Sequence, residues 1–139
     1  MMNKQLEQQN IVKKLWIILG AFNALLAILL GTFGAHGLKQ SISPEMLTVY
    51  QTAVQYQMSH ALALLMIGAV AHFWSTSSWL KAAGWLLTTG IVLFSGSLYL
   101  LSITGIKNFG WITPVGGICF ILGWMALILA TWKADGLSN

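Results

Sequence analysis

Residues 15–34 read LWIILGAFNALLAILLGTFG, a run of twenty residues that contains no charged side chain. A helix of about 20 mostly apolar residues is long enough to cross a hydrocarbon core about 30 Å thick. Three further stretches of comparable length and composition follow at 52–73, 80–102 and 114–132. The sequence therefore predicts four membrane-spanning helices.

The composition of the whole chain agrees with this prediction. Only 7% of its 139 residues are charged and its mean hydropathy is +0.75, whereas a soluble domain carries about 25% charged residues. The predicted fold is an all-α, integral membrane four-helix bundle at 15–132, between a polar N-terminal tail at 1–14 and a C-terminal tail at 133–139. With seven lysines, no arginine and three carboxylates, we expect neither a nucleic-acid partner nor a cofactor.

The lysines predict the orientation of the bundle. Four spans leave both termini on one side, and cytoplasmic loops are enriched in basic residues. The side with the termini carries five lysines and the other side two: Lys4, Lys13, Lys14, Lys81 and Lys133 against Lys39 and Lys107. Both termini are therefore predicted to be cytoplasmic, with the first span retained as an uncleaved helix.

Two proline-containing segments predict where helices begin. Ser43, Pro44 and Glu45 combine an N-cap, a proline at the first helical position and a carboxylate near the helix dipole. A helix is expected from about Pro44, running as a surface helix on the extracytoplasmic side before it enters the membrane as the second span. A kink within residues 51–55 is the alternative. Thr113 and Pro114 predict the start of the fourth helix in the same way.

Small residues recur along two of the spans at intervals of three and four, which places them on one side of each helix. Such stripes allow close backbone approach, and membrane helices associate in this way. A lone cysteine within one stripe is expected to pack rather than to serve redox or metal chemistry. The stripes are Gly20, Ala24, Ala27, Gly31 and Gly34 in the first span, and Gly116, Cys119, Gly123, Ala126 and Ala130 in the fourth.

Polar and aromatic side chains gather near the extracytoplasmic ends of the spans. Polar groups inside a bilayer are costly, so they require a hydrogen-bond partner or a function. We expect them to form one layer that binds a lipid or small amphiphile, a membrane-protein partner or a second copy of the chain. The predicted site residues are His36, Tyr56, Gln57, His60, Ser95, Tyr99 and Thr113.

Four ordered motifs resemble the signature of the YgdD-like family of small membrane proteins, also called domain of unknown function 423 and related to transmembrane protein 256 of eukaryotes. They are GTFGAHG at 31–37, YQMSHAL at 56–62, FSGSLY at 94–99 and TPVGG at 113–117, with Gly123 and Trp124 following. The resemblance covers nearly the whole chain after the first dozen residues. It implies a four-span protein of the bacterial inner membrane and brings no established activity.

Two chemical alternatives use the same residues. His36 and His60 on one membrane face are the residue types that hold copper, zinc or haem iron, although they also serve to tie helix ends to loop backbone. A serine nucleophile at Ser95, with His60 as its base, lacks an aspartate to orient the imidazole. The sequence therefore favours a non-enzymatic membrane protein, with a metal or haem site as the alternative.

Overall fold

A computed structural model of the chain describes residues 2–73 and 77–135, and these ranges contain helices and turns but no strand. The described chain begins with α1, Met2–Phe33, which continues into the π-helical segment Gly34–Leu38. A turn then leads into α2, Pro44–Phe73. The remaining elements are α3 Ser78–Gly90, a π-helical segment Ile91–Ser95, α4 Gly96–Thr104, a short 3-10 helix Lys107–Trp111 and α5 Thr113–Asp135.

The four predicted spans are confirmed. Four helical stretches are long and apolar enough to cross a membrane: Asn10–Leu38, Pro44–Ala71, Ser78–Thr104 and Lys107–Trp132. Their limits extend beyond the predicted ones at most ends. Residues 2–14, predicted as a tail, form the first turns of α1, and 133–135 are the last residues of α5, whereas the predicted tail residues 136–139 lie outside the described ranges.

The helix starts follow local hydrogen bonding. Helix α2 begins at the predicted Pro44, and the Ser43 hydroxyl accepts a hydrogen bond from the Met46 N–H at 3.2 Å. No break separates a surface portion of α2 from its spanning portion, since the helix runs without interruption to Phe73. At the start of α5, the Thr113 hydroxyl contacts the Ser97 hydroxyl at 2.7 Å. The interpretation of Thr113 as an N-cap is corrected, because Thr113 is the first residue of α5 and the Val115 and Gly116 N–H groups donate to the backbone oxygen of Ile112 at 3.1 and 3.3 Å.

Small residues determine how closely the helices pack. Helix α1 packs mainly on α2, and α3 on α5, while α2 also contacts α4. A Cβ atom at Gly20 would lie 2.8 Å from the backbone oxygen of Ala61 and 2.9 Å from the backbone nitrogen of Leu65, so α1 and α2 are in backbone contact there. A Cβ atom at Gly116 would likewise collide with the backbone of Phe94. Both predicted small-residue stripes face neighbouring helices, as expected.

The two halves of the bundle differ in composition. The half that carries the termini contains an apolar core, with Trp16, Leu64, Leu80 and Leu87 each 1% exposed or less. Most buried polar side chains lie in the other half, between α1, α2, α4 and α5. The fold thus separates a region fixed by apolar packing from a region fixed by hydrogen bonds and stacked rings.

Candidate functional site

A chain of hydrogen bonds crosses three helices through Gln57, which is 4% exposed. Its Nε2 donates to the backbone oxygen and to Oδ1 of Asn23, at 3.4 and 3.5 Å. Its Oε1 accepts a bond of 2.8 Å from the Tyr99 hydroxyl. Helices α1, α2 and α4 are therefore joined through one carboxamide, whose donor and acceptor ends are both occupied. Gln57 and Tyr99, two of the predicted site residues, are thus in direct contact.

Tyr50 extends this network toward the outer end of α1. Its hydroxyl donates to the backbone oxygen of Leu30 at 2.9 Å, and its ring meets that of Tyr99 edge to face at a centroid distance of 4.9 Å. A Cβ atom at Gly34 would lie 2.6 Å from the Tyr50 ring. The glycine therefore provides the space in which the buried Tyr50 ring lies against α1.

His60 is buried in α2, and both of its ring nitrogens have partners. Nδ1 lies 2.8 Å from the backbone oxygen of Tyr56, and Nε2 lies 3.2 Å from the indole Nε1 of Trp124. A carbonyl oxygen only accepts and an indole N–H only donates, so these contacts require the tautomer protonated at Nδ1. The lone pair of Nε2, which a metal ion would need, is occupied by Trp124.

Stacked rings fill the space between α2 and α5. The His60 imidazole lies parallel to the Phe120 ring at 3.5 Å, and Tyr56 stacks on Phe94 at 4.4 Å. Phe94 belongs to the π-helical segment Ile91–Ser95, and π-helical turns insert one extra residue into a helix and so redirect the side chains that follow. Tyr56 and Trp124 are each 40% exposed and form the outer border of this stack.

Two serines in the third span behave differently. The Ser97 hydroxyl donates to the backbone oxygen of Phe94 at 2.9 Å, so its contact with Thr113 has the threonine as donor. Ser95 is 1% exposed, and its hydroxyl has no hydrogen-bond partner among the described residues. No hydrogen bond therefore joins Ser95 to His60, and the arrangement expected of a serine nucleophile is not formed.

His36 lies apart from the other predicted site residues. It is exposed on the π-helical segment that follows α1. Gly34 marks the level of Tyr50, and His60 comes ten residues after Tyr50 in α2, which is about 15 Å farther along the helix. The expected proximity of His36 and His60 is therefore wrong. Within the described ranges, no three His, Cys, Asp or Glu side chains are grouped to hold a metal ion.

A groove lies between α1 and α2 near the π-helical end of α1. Its volume is about 180 Å³, below the roughly 300–1,000 Å³ of typical small-molecule pockets. Glycine and alanine on α1 leave room for it, and side chains of α2 form its opposite wall. The lining residues are Gly31, Gly34, Ala35, Tyr50, Gln51, Val54 and Gln55.

Several participants in the layer were absent from the predicted set. Tyr50, Phe120 and Trp124 contribute a hydrogen bond or a stacked ring to it. Their spacing carried a signal that could have been used: Gly116, Phe120 and Trp124 follow one another at intervals of four, which places them on one side of α5. Asn23 is a further participant, because its backbone oxygen and Oδ1 accept from Gln57 Nε2.

Comparison with known proteins agrees with this architecture. The family model described as "Protein of unknown function (DUF423)" matches residues 30–117. The chain belongs to this family. A UPF0382 membrane protein of Staphylococcus aureus strain bovine RF122 is 54% identical over 123 residues, covering 88% of this chain and 99% of the relative. The UPF0382 membrane protein YwdK of Bacillus subtilis is 52% identical, covering 86% of this chain and 98% of the relative. No solved structure matches the chain significantly.

Proposed function

We propose that this DUF423 member is a non-enzymatic, multi-pass protein of the bacterial inner membrane, with both termini in the cytoplasm, and that it binds a membrane-protein partner. The binding surface is the outward face of α2, next to the groove. The lysine asymmetry supports the orientation. The observation that carries the partner proposal is a pair of exposed carboxamides, Gln51 and Gln55, within a membrane span.

The depth of these two side chains in the bilayer supports the partner proposal. The span Pro44–Ala71 has 28 residues, so its midpoint follows Gln57. With the span centred in the bilayer, Gln55 lies about 4 Å and Gln51 about 10 Å from the midplane, inside a hydrocarbon half-thickness of about 15 Å. Polar groups at that depth are stable when another polar group covers them. In that placement Gln55 lies about 11 Å below the edge of the hydrocarbon core.

The buried polar side chains of Gln57 and His60 have a different role in this proposal. Gln57 and His60 have their hydrogen-bonding groups occupied by other parts of the same chain. We assign them to holding α1, α2, α4 and α5 in register. The ligand-binding role predicted for the seven residues His36, Tyr56, Gln57, His60, Ser95, Tyr99 and Thr113 stays a prediction.

A lipid or small amphiphile is the second candidate, and the groove is the observation that favours it. Tyr50 and the two exposed glutamines line one wall, and the space is about 180 Å³. An engineered apolar cavity of about 150 Å³ accepts benzene, so the groove has room for part of a chain or one ring. An amphiphile there would cover Gln51 near the outer interface.

The proposal is tested by the exposure of α2 in native membranes. Leu62 lies on the outward face of α2 and Met125 on α5, and each is 52% exposed in the isolated chain at a comparable depth. A nitroxide is attached to Leu62→Cys or Met125→Cys in a Cys119→Ala background. We expect molecular oxygen to collide with the Leu62 label several-fold less often than with the Met125 label. Equal collision rates would overturn the proposal.

The proposed orientation has its own test. Asn108 is exposed in the 3-10 helix before α5, on the side opposite the termini. In intact bacterial cells whose outer face is accessible, a membrane-impermeant maleimide should label Asn108→Cys and leave Ser78→Cys unmodified until the membrane is opened. The reverse labelling order would contradict cytoplasmic termini.

A further inference from the structure

The outward face of α2 carries a polar surface over its first half. Thr48, Gln51, Gln55 and Ser59 are all exposed and follow one another at intervals of three or four, which places them on one side of the helix. This side lies opposite the one on which Gln57 and His60 are buried. Beyond Ser59 the same face becomes apolar, with Leu62 and Met66 more than half exposed.

Hydrogen bonding divides this polar surface into two kinds of residue. The Thr48 and Ser59 hydroxyls donate to backbone oxygens one turn earlier, at 3.0 and 2.8 Å. Helices satisfy hydroxyl groups in this way even in hydrocarbon. The carboxamides of Gln51 and Gln55 have no partner within residues 2–73 and 77–135. They are the groups that need another molecule.

We propose that a second copy of this chain covers the outward face of α2 and forms a two-fold symmetric dimer. This inference rests on the proposed partner-binding function and names the partner. A rotation axis along the membrane normal keeps both copies in the same orientation and brings like residues face to face. Gln51 then meets Gln51 of the second copy, and Gln55 meets Gln55.

The chemistry of the carboxamide makes this face complementary to itself. Each amide presents a partially positive NH₂ and a partially negative oxygen, so two glutamines satisfy one another in both directions. Two identical carboxylates or ammonium groups would repel, and the polar face contains neither. A buried pair of identical amides fixes the register of parallel coiled coils by the same principle.

The groove completes the complementarity of shape. It lies beside the glutamines, with Gly31 and Gly34 as its floor and a volume of about 180 Å³. A space of that size accepts one large side chain. Small residues at the floor let the helices approach closely enough for the amides to meet.

The experiment uses the full chain as the only protein in phosphatidylethanolamine and phosphatidylglycerol vesicles. Dyes on Asn108→Cys, in the Cys119→Ala background, report association by energy transfer between copies as the lipid-to-protein ratio is varied. Replacing both glutamines, by Gln51→Leu and Gln55→Leu, should weaken association about tenfold or more, because the amide contacts are lost and apolar side chains are stable in lipid. Thr89→Leu, which changes an exposed polar residue on α3, is the matched control and should leave association unchanged.

Nitroxides at Leu62→Cys locate the interface in the same vesicles. Two α2 helices that pack against each other are separated by about 8–10 Å, so the labels of two copies should lie closer together than labels at Met125→Cys. A wild-type chain that remains monomeric would overturn the dimer. Association that resists both glutamine substitutions would overturn it as well, since the copies would then meet elsewhere.

Two further outcomes separate the dimer from the proposed function. A Leu62 label shielded in native membranes but open in these vesicles would assign the face to a different protein, so the dimer would be wrong and partner binding would stand. A label shielded in vesicles without energy transfer would place a lipid on the face and contradict both proposals. A Leu62 label that oxygen reaches freely in native membranes and in vesicles would also contradict the dimer and partner binding.

Discussion

Gln55 and Gln57 are two residues apart on α2 and face opposite sides of it. Gln57 is 4% exposed and hydrogen-bonded to α1 and α4, whereas Gln55 is exposed and has no partner in the described chain. The same carboxamide is thus fully satisfied on one face and unsatisfied on the other. In a membrane protein this difference distinguishes groups that stabilise the monomer from groups that require a second molecule.

The largest expected effect comes from separating α1 from α2 where their backbones touch. In Gly20→Leu the new side chain would have to occupy the position of Ala61 and Leu65 backbone atoms, which also pulls Asn23 away from Gln57. We expect a loss of about 3 kcal/mol in the free energy of unfolding. Unfolding by dodecyl sulfate in mixed micelles, followed by circular dichroism, measures it. Ala21→Leu, at an exposed neighbouring position, is the control.

The second-largest effect on the free energy of unfolding is expected at the buried Gln57. Gln57→Leu removes the acceptor of the Tyr99 hydroxyl and the donor to Asn23, and leaves the Tyr99 hydroxyl without its partner. A loss of about 1–3 kcal/mol in the free energy of unfolding is expected in the same assay. A loss no larger than that of Gln55→Leu would contradict the distinction between the two faces.

A smaller effect should follow from removing one hydroxyl. Tyr99→Phe keeps the ring packed against Tyr50 and deletes only the bond to Gln57. Interhelical hydrogen bonds in membranes contribute about 0.6 kcal/mol on average and up to about 1.7 kcal/mol, so a loss near 1 kcal/mol is expected. The double variant Gln57→Leu, Tyr99→Phe should lose less free energy of unfolding than the sum of the losses of the two single variants. Additive losses would show that the two side chains act independently.

The outer glutamine should have the smallest effect on the monomer. Gln55→Leu exchanges an exposed carboxamide for an apolar side chain and breaks no side-chain hydrogen bond within residues 2–73 and 77–135, so the free energy of unfolding under monomeric conditions should change by less than about 0.5 kcal/mol. Dilute detergent micelles provide those conditions. A loss above 1 kcal/mol there would mean that Gln55 has an internal partner.

Much of the fold was predictable because its signals are local. Apolar length located the four spans, the intervals between small residues identified the contact faces, and Ser43 with Pro44 marked the start of α2. The direction of the four spans predicts that Gln57 and His60 lie in one polar layer. Each of these features depends on a residue and its neighbours within a few helical turns. A single sequence is therefore enough to predict them.

The remaining features depend on contacts between distant residues. His36 is predicted to lie near the level of His60 because the second span is predicted to begin at residue 52, after a surface helix. In the structure the spanning stretch already begins at Pro44, which places His60 deep in the span. The partner of His60, Trp124, is 64 residues away, and no spacing rule links them. The π-helical segment at Ile91–Ser95 likewise follows from packing of Phe94 against α2 and α5 rather than from an evident breaker residue.

That π-helical segment divides the third span into two helices whose relative rotation depends on a single residue. Each residue of an α-helix advances the side-chain direction by about 100°. Deleting one residue between Ile91 and Ser95 would restore a regular helix and would turn α4 by about that angle relative to α3. Tyr99 would then point away from Gln57, and their hydrogen bond would be lost although no residue of the network had changed. The alignment of the polar layer is therefore set by the length of the third span as much as by its composition.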